Sequence, residues 1–374
     1  MKKLLLIAFA IITQIAPVAS QEKKDTPLRV GVIGLVHGHV GWILSNEKKS
    51  NIEIVGIVEP NKELARRLTK QHGLSMDIVF DTIEEMDEAV HPEAVNAFNS
   101  TFDHLETVRY CAPKGIHVMV EKPLAVSWEH AKEMVELARK HNIHLLTNYE
   151  TSWYGSNHKA YDLILKEKAI GQMRKINFHT GHFGPIEIGC GDEFLEWLTD
   201  PVLNGGGALM DFGCYGANIS TWLMSGKTPI SVTCTTSSFK PSKYPKVEDD
   251  ATIVLQYPDT EVTIQASWNW PHHVKDMEVF GATGFVKYKN GTDMELMTDE
   301  KIGPSSLKAN DLPTGENDPF AIFKKVVHEN YKLPAYDLTS LENAQIVVQV
   351  LEAAKISSKE GKTVLWKDLY PENK

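Results

Sequence analysis

The sequence is poor in the residue patterns that build metal centres. Its 374 residues include four cysteines, with no C-x-x-C and no H-E-x-x-H motif. The histidine pairs His37/His39 and His272/His273 could ligate a metal, but isolated histidines more often form ordinary hydrogen bonds. We therefore predict no metal site. Four cysteines allow three disulfide pairings, and the sequence does not choose among them.

Positive charge and long apolar runs are also scarce. The formal net charge is −10 and the pI about 5.8, which excludes the basic surface that binds nucleic acids or acidic membranes. The apolar run Leu4–Ile12 is too short to span a bilayer. Two lysines precede it and small residues follow up to Ser20, which is typical of a secretion signal. We expect residues 1–20 to be removed and the mature protein to be soluble, without membrane insertion, in the periplasm of a Gram-negative bacterium.

The pattern of apolar and polar residues changes near residue 148, which divides the chain into two parts. Before that point, short apolar strands alternate with amphipathic helices, which predicts a doubly wound parallel sheet. The predicted strands are Arg29–Gly34, Ile52–Val58, Val95–Phe98, Ile116–Val120 and Ile143–Leu146. After it, hairpin turns at residues 258–259 and 281–284 predict a mostly antiparallel sheet, and a long amphipathic helix is predicted over Thr339–Ser357. The predicted fold class is α/β in both parts.

The tripeptide Glu121-Lys122-Pro123 ends a predicted buried strand. A lysine at the carboxyl end of such a strand lies where open α/β sheets bind their ligands. There its charge is only partly solvated, so its pKa can be tuned for acid–base chemistry. The alternative is a surface Glu-Lys pair that happens to end a strand.

A glycine loop follows the first strand. The dinucleotide fingerprint G-x-G-x-x-G would require glycine at positions 34, 36 and 39, which here hold Gly34, Val36 and His39. The location still favours a phosphate at a helix N-terminus. Glu59 ends the second strand, where a carboxylate would bind ribose hydroxyls and repel a 2′-phosphate, so NAD is favoured over NADP. The alternative is a solvated glutamate that caps the strand.

A second glycine cluster, Gly205-Gly206-Gly207, precedes a segment predicted to be helical from Ala208. A helix there would place Asp211 and Tyr215 at i and i+4 on one face. The glycines would let the backbone approach a ligand closely. An acid and a phenol projecting together could form half of a proton-transfer site. The alternative is a glycine hinge beside a packed tyrosine.

These motifs together resemble those of the Gfo/Idh/MocA oxidoreductases, the relatives of glucose–fructose oxidoreductase and inositol dehydrogenase. The segment Asn99–His104 resembles the one after the family's fourth strand, and Ser340–Val364 resembles its closing helix and strand. The resemblance covers essentially the whole mature chain. It implies an NAD-binding Rossmann domain over residues 28–148 and a substrate-binding and oligomerisation domain over 149–374.

The resemblance also implies an activity, in which a sugar, glycoside or cyclitol hydroxyl is oxidised by hydride transfer to NAD. Lys122 matches the family's active-site lysine and Asp211 its carboxylate. Tyr215 stands where many members have histidine, whereas the glucose–fructose oxidoreductase and dihydrodiol dehydrogenase branches have tyrosine at this position. We expect Tyr215 to move the proton, with its pKa lowered by Lys122. Lys122 would bind the substrate oxygen, Asp211 would orient the substrate and Glu121 would position Lys122.

Further residues are expected to line the ligands. Those assigned to the cofactor lie in the first domain: Gly34, Val36, His37, His39, Glu59, Asn99, His104, Glu121 and Lys122. Those assigned to the carbohydrate are aromatic or imidazole side chains, for which ordinary packing is the alternative: Trp153, His182 and Trp268. We expect a homo-oligomer.

Two other functions remain open. Free dinucleotide is scarce outside the cytoplasm, so NAD is either held tightly and recycled or used without net oxidation. The second case describes a glycosidase or lyase that oxidises the sugar transiently, eliminates the glycosidic group and then reverses the oxidation. Val36 suggests a third reading, a sugar-binding protein without a cofactor.

Overall fold

The computed structural model describes residues 26–371, so the predicted signal segment lies outside the described residues. The first sheet has six parallel strands in the order β3-β2-β1-β4-β5-β6. They are β1 (Leu28–Ile33), β2 (Ile52–Val58), β3 (Val79–Phe80), β4 (Ala94–Ala97), β5 (His117–Glu121) and β6 (Leu145–Asn148). This order is that of a Rossmann fold, so the predicted doubly wound sheet is confirmed.

Helices cover both faces of this sheet. They are α1 (Val40–Ser50), α2 (Lys62–His72), α3 (Ile83–Val90), α4 (His104–Cys111) and α5 (Trp128–His141). Along β5, Met119 packs into the core on one face, while Val118 and Val120 pack into the core on the other. Burial on both faces explains why the strands read as continuous apolar runs.

The second sheet has nine strands in the order β14-β13-β12-β11-β7-β10-β9-β8-β15. They are β7 (Met173–Gly181), β8 (Ser231–Ser237), β9 (Asp250–Gln256), β10 (Glu261–Ser267), β11 (Val274–Gly281), β12 (Phe285–Tyr288), β13 (Asp293–Met297), β14 (Ser305–Lys308) and β15 (Val364–Leu365). Neighbouring strands are antiparallel except β7 and β10, which pair in parallel. The predicted hairpins β9–β10 and β11–β12 are confirmed.

The remaining helices pack on this sheet or return to the first one. They are α6 (Gly155–Tyr161), α7 (Asp192–Leu198), α8 (Ala208–Leu223), α9 (Pro319–Glu329), α10 (Leu341–Glu360) and α11 (Trp366–Leu369). Helix α8 is buried along its whole length between the sheet and α10. Helix α9 packs instead against α1, β1 and β2 of the Rossmann sheet. Within residues 26–371, no helix has the length and apolar character needed to cross a bilayer.

Candidate active site

A buried ion pair joins the two sheets. Lys122 follows β5, and its Nζ lies 2.5 Å from Oδ1 of Asp211 in the first turn of α8. Trp268, directly after β10, donates from Nε1 to Asp211 Oδ2 at 2.9 Å. Burial alone would lower the pKa of Lys122, but the Asp211 carboxylate raises it. Burial would raise the pKa of Asp211, but Lys122 lowers it. The pair is therefore ionised at neutral pH.

Tyr215 lies one helical turn after Asp211, so the predicted i, i+4 arrangement on a helix is confirmed. Tyr215 is 1% exposed, and the Nζ atoms of Lys275 and Lys122 lie 4.8 Å and 5.4 Å from its ring centroid. Burial, followed by the charge of Glu150, raises the pKa of Tyr215 well above its usual value. The expected lowering of this pKa by Lys122 is wrong, because the phenol is buried and the ammonium is paired with Asp211. Tyr215 therefore holds its proton at neutral pH.

A second ion pair, which the sequence does not predict, lies beside Tyr215. Lys275 in β11 donates to Glu150, which begins the turn after β6. Burial would raise the pKa of Glu150, but Lys275 lowers it to about 2. Both residues are charged and lie beside predicted strands. Many surface residues have these two features, so the features do not identify the pair. Only the fold shows that they meet at the site.

Glu121 connects the glycine loop to β6. Its Oε1 accepts a hydrogen bond from Asn148 Nδ2 at 2.7 Å, and its Oε2 lies 3.0 Å from His39 Nδ1. Burial would raise the pKa of Glu121, but His39 and other partners lower it to about 2. Trp153, expected at the carbohydrate, donates from Nε1 to Asn148 Oδ1 at 3.0 Å. The hydrogen bonds of Glu121 thus run to His39 and Asn148, and its positioning of Lys122 stays a prediction.

The glycine loop and the loop after β4 form a polar cradle. Gly34 has φ +77°, and a Cβ at this position would lie 2.9 Å from the backbone of Asn99. Three buried polar atoms of this region have no hydrogen-bond partner among the described residues: His37 Nε2, Asn99 Oδ1 and His104 Nε2. A ligand rich in hydroxyl and phosphate groups would satisfy such atoms. The residues therefore fit the dinucleotide that the sequence predicts.

Two residues of the glycine loop, Val36 and His37, contact helix α7 of the second domain. The Val36 carbonyl accepts a hydrogen bond from Trp197 Nε1 of α7 at 3.4 Å. The His37 ring stacks on Trp197 at 5.6 Å between centroids and meets Phe194 edge-on at 5.3 Å. Val36 and His37 thus anchor the loop to α7. The sequence alone gives no sign of this contact, because α7 lies about 160 residues further along the chain.

Glu59 also holds the glycine loop. Its two carboxylate oxygens accept the backbone N–H groups of Leu35 and Asn61, each at 2.9 Å. Glu59 is 3% exposed, and burial raises the pKa of its carboxyl. Each carboxylate oxygen retains a further lone pair. The ribose contact of Glu59 therefore stays a prediction, and the alternative of a solvated glutamate is wrong because the side chain is buried.

The Gly205–Gly207 turn brings two segments of the protein's own backbone together. A Cβ on Gly205, where φ is +79°, would lie 2.7 Å from the Val126 carbonyl oxygen, and one on Gly207 would lie 1.9 Å from that of Glu248. The Glu248 carboxylate accepts the N–H groups of Gly207 and Leu209 at the start of α8. The close approach made by these two glycines is thus to protein backbone, whereas the sequence suggested a ligand.

Of the residues expected at the carbohydrate, His182 keeps a hydrogen-bonding atom free. Its Nδ1 accepts the backbone N–H of Gly184 at 2.9 Å, and its ring meets Phe212 edge-on at 5.0 Å. Burial lowers the pKa of His182 to about 4. Trp268 is fully buried and bound to Asp211, so it orients the carboxylate and offers no open face to a sugar.

His37, His39 and Glu121 each place one potential metal-ligand atom within 4.8 Å of the others. Hydrogen bonds already use several of these atoms. The His39 backbone N–H donates to His37 Nδ1 at 3.1 Å. An ionised carboxylate is an acceptor only, so His39 Nδ1 donates to Glu121. The absence of a metal stays a prediction.

Domain models of one protein family match both parts of the chain. The model described as "Oxidoreductase family, NAD-binding Rossmann fold" matches residues 28–149, and "GFO/IDH/MocA C-terminal domain" matches residues 158–287. The chain belongs to the Gfo/Idh/MocA oxidoreductase family. Its first domain is the family's NAD-binding Rossmann domain.

Similar members of the Gfo/Idh/MocA family are distant in sequence. Trans-1,2-dihydrobenzene-1,2-diol dehydrogenase of Xenopus tropicalis is 26% identical over 237 residues, which cover 63% of this chain and 66% of the relative. D-xylose 1-dehydrogenase [NADP(+)] of Haloarcula marismortui is 25% identical over 279 residues, covering 71% and 73%. The match to the Xenopus tropicalis diol dehydrogenase thus spans slightly less than two thirds of that protein's length.

Solved structures share the whole fold. The aldose-aldose oxidoreductase of Caulobacter crescentus, complexed with glycerol, superposes with a TM-score of 0.75 at 20% identity and covers 91% of this chain and 99% of its own. An inositol dehydrogenase homologue of Azotobacter vinelandii, complexed with NAD+, gives a TM-score of 0.75 at 17% identity and covers 91% and 98%. At these identities the likeness shows the Gfo/Idh/MocA fold alone.

Proposed function

We propose that the protein is an NAD-dependent oxidoreductase that transfers hydride between nicotinamide and a hydroxyl-bearing carbon of a sugar, glycoside or cyclitol. The observation that carries the proposal is the ionised, buried Lys122–Asp211 pair beside Tyr215, at the carboxyl end of a Rossmann sheet. Relatives named for a 1,2-diol and for D-xylose support a polyhydroxylated substrate. The tyrosine at position 215 supports the branch that includes glucose–fructose oxidoreductase.

Each residue has a distinct role at the reacting oxygen. The dinucleotide, when bound, accepts or supplies the hydride. The Lys122 ammonium donates a hydrogen bond to the substrate oxygen and stabilises negative charge that develops there. Asp211 fixes Lys122 through Oδ1 and is itself fixed by Trp268 through Oδ2. In reduction the Tyr215 hydroxyl gives its proton to the oxygen. Oxidation starts from the tyrosinate, formed when Tyr215 has released its proton to solvent, and the tyrosinate then takes the substrate hydroxyl proton.

The same proposal includes the cofactor preference, the cellular location and the oligomeric state. The buried carboxyl of Glu59 at the end of β2 supports NAD over NADP, although the matched xylose dehydrogenase is named for NADP(+). The residue pattern before Gln21 supports export to the periplasm. Contacts of α7 with Val36 and His37 support tight retention of NAD, which an exported enzyme would need. Alternate residues of β8, β9 and β10 are only half-buried, and this partly open face of the nine-stranded sheet supports a homo-oligomer.

A panel of aldoses, aryl glycosides and inositols tests the proposal on the purified full chain. Wild-type protein is expected to bind NAD and to reduce it with at least one panel member, as followed by nicotinamide absorbance. Glycone release without net NADH would assign the protein to the transient-oxidation glycosidases. A protein with no measurable affinity for NAD or NADP would refute both enzymatic functions and leave the sugar-binding one.

A further inference from the structure

Strands β7 and β10 end side by side at the Asp211 carboxylate. The two strands run in parallel, and the backbone N–H of His182, after β7, donates to the Ser267 carbonyl, at the end of β10, at 3.2 Å. Trp268 comes next, and its Nε1 is the donor to Asp211 Oδ2 at 2.9 Å. The segments that continue from both strands therefore border the candidate active site.

One lysine holds these two segments together. The Lys240 ammonium donates to the carbonyl oxygens of Phe183 and Trp268, each at 2.7 Å. Its third donor binds Glu187 Oε1 at 2.7 Å, so all three donors of the ammonium are used. Glu187 also accepts from the Tyr244 hydroxyl. The segment after β7 is therefore held in place beside Trp268.

Apolar side chains of this region face solvent. Phe183 and Ile186 are each more than one third exposed, and Phe239, directly before Lys240, is more exposed still. We call Phe183, Ile186 and Phe239 the apolar rim. Exposed apolar side chains that lie together mark a place that a ligand or a partner covers.

A row of aromatic rings joins the apolar rim to the ion pair. Phe212, the residue after Asp211, meets the His182 ring edge-on at 5.0 Å between centroids. The His182 ring lies 5.6 Å from that of His273, which lies 5.4 Å from that of Phe183. Phe212 and His182 are buried, whereas His273 and Phe183 are exposed. The row therefore leads from the reacting centre outwards, and the rim can contact a group attached to a substrate bound there.

The charges beside the apolar rim favour an uncharged group. Lys240 and Lys243 both pair with Glu187, at 2.7 Å and 3.0 Å. A phosphate would have to compete with Glu187 for these lysines, so the rim is poorly suited to a sugar nucleotide. Aromatic and aliphatic side chains instead suit an aryl or alkyl group, because packing on them removes its apolar surface from water.

We propose that the apolar rim is a second subsite, which binds an aryl or alkyl group linked to the reacting sugar. The inference rests on the proposed function, in which Lys122 and Tyr215 bind the reacting oxygen. It narrows the substrates of that function to glycosides with an apolar aglycone. Phe183 and Ile186 are then specificity-determining residues, which bind the aglycone and take no part in hydride transfer.

Kinetics with methyl and phenyl glycosides test the second subsite. The compounds are the α- and β-glycosides of D-glucose, D-galactose and D-mannose, so only the aglycone differs within a pair. For wild-type protein with NAD, kcat/KM for at least one phenyl glycoside should exceed that of its methyl partner about 10-fold, mainly through KM. Phe183→Ser should remove most of this preference and change kcat/KM for methyl glycosides by less than about twofold. Phe183→Leu, which keeps an apolar side chain, should retain most of the preference.

Ile302→Ser is the matched control. Ile302 is also an exposed apolar residue, but it lies between β13 and β14, at the end of the sheet opposite to Lys275. This variant should leave both kinds of glycoside unaffected. Lys240 binds the carbonyl of Phe183 and not its side chain, so Phe183→Ser should melt at the wild-type temperature.

Equal kcat/KM values for methyl and phenyl partners in wild-type protein would overturn the inference and leave the proposed function standing. Oxidation of free aldoses or inositols, but of no glycoside, would do the same. Equal proportional losses for both partners in Phe183→Ser would also overturn the inference. A smaller oligomer of Phe183→Ser in light scattering would assign the apolar rim to an interface between copies of the chain and overturn the aglycone subsite. Wild-type protein inactive on the whole panel would refute the proposed function itself, and the inference with it.

Discussion

At the scale of single residues, the site depends on charges that are buried in pairs. Lys122 and Asp211 are each about 5% exposed and ionised. Removing one partner of such a pair leaves the other charge desolvated and without compensation. Breaking this pair, which we propose binds substrate, should therefore also be strongly destabilising.

Asp211→Asn should lower the free energy of unfolding by about 3–5 kcal/mol, because Lys122 is then left in a buried site without a counter-charge. Glu133→Gln is the control. It breaks an ion pair of similar length, 2.6 Å to Arg109, in which both side chains are more than 40% exposed. That loss should be below about 1 kcal/mol. Denaturant unfolding of both variants measures the difference, and equal losses would contradict the account.

A buried neutral histidine makes the free energy of unfolding depend on pH. Burial lowers the pKa of His104 from its usual 6.5 to about 4. Between these values the unfolded chain binds the proton and the folded protein does not, so stability falls as pH drops from 6.5 to 4. The His104 contribution to that loss is on the order of 3 kcal/mol at pH 4.

Replacement of His104 should flatten this pH dependence. In His104→Asn, melting temperature should fall less steeply over that pH range than in the wild type. His91→Asn, at an exposed position, should keep the wild-type slope. Calorimetric melting curves across the range provide the measurement, and parallel slopes for all three proteins would show that His104 does not titrate as described.

The residues that the sequence identifies are those with a local signal. Lys122 follows a β-branched strand, and Asp211 and Tyr215 share a helix face, so spacing alone predicts where they lie. Lys275 lies in β11 and Glu150 in the turn after β6, and the two meet only after folding. The sign of the Tyr215 pKa shift was missed for the same reason, since it depends on burial and on Glu150.

At the scale of elements, the first sheet was more predictable than the second. Four of its strands, β1, β2, β4 and β5, are mostly buried apolar runs, and each is followed by a helix. The two-residue β3 is only half-buried and was not predicted. The parallel pairing of β7 with β10 is not visible in the sequence, because a segment of about 80 residues separates them. The contact of α7 with the glycine loop is likewise not visible in the sequence. The contacts of this helix with the Val36 carbonyl and the His37 ring anchor the glycine loop.

Trp197→Phe tests whether α7 supports cofactor binding. The change keeps an aromatic ring against His37 but removes the Nε1 bond to the Val36 carbonyl. One such hydrogen bond corresponds to roughly 1 kcal/mol, so the Kd for NAD should rise by at most about fivefold. Trp366→Phe is the control, since the buried Nε1 of Trp366 has no partner among residues 26–371. Titration calorimetry that found equal Kd values would exclude the contact from cofactor binding.

At the scale of the whole molecule, the chain crosses between its sheets more than once. The second domain was predicted as one block over residues 149–374, and that boundary stays a prediction. Helix α9 nevertheless lies on the Rossmann sheet, where Phe320 and Phe323 share a core with Leu28 and Ile43. Helix α10 contacts α5 and β6 of that sheet as well as α8. Folding of the first sheet therefore depends on residues near the end of the chain.

Phe323→Ala should destabilise the protein by about 3–5 kcal/mol, because the side chain is 1% exposed in that shared core. Phe239→Ala, where the side chain is 66% exposed, should have almost no effect. The unfolding midpoints in denaturant compare the two. A mild effect of Phe323→Ala would show that α9 is dispensable to the Rossmann core.

The most direct test of the account is a single turnover of NAD-loaded protein with its best panel sugar, in wild type and in Lys122→Met. Lys114→Met, which breaks an ion pair with Asp87 away from the site, is the control. We predict that Lys122→Met still binds NAD but reduces it at least about 100-fold more slowly, while Lys114→Met matches the wild type. Wild-type rates in Lys122→Met would contradict the assignment of this ion pair to the chemistry.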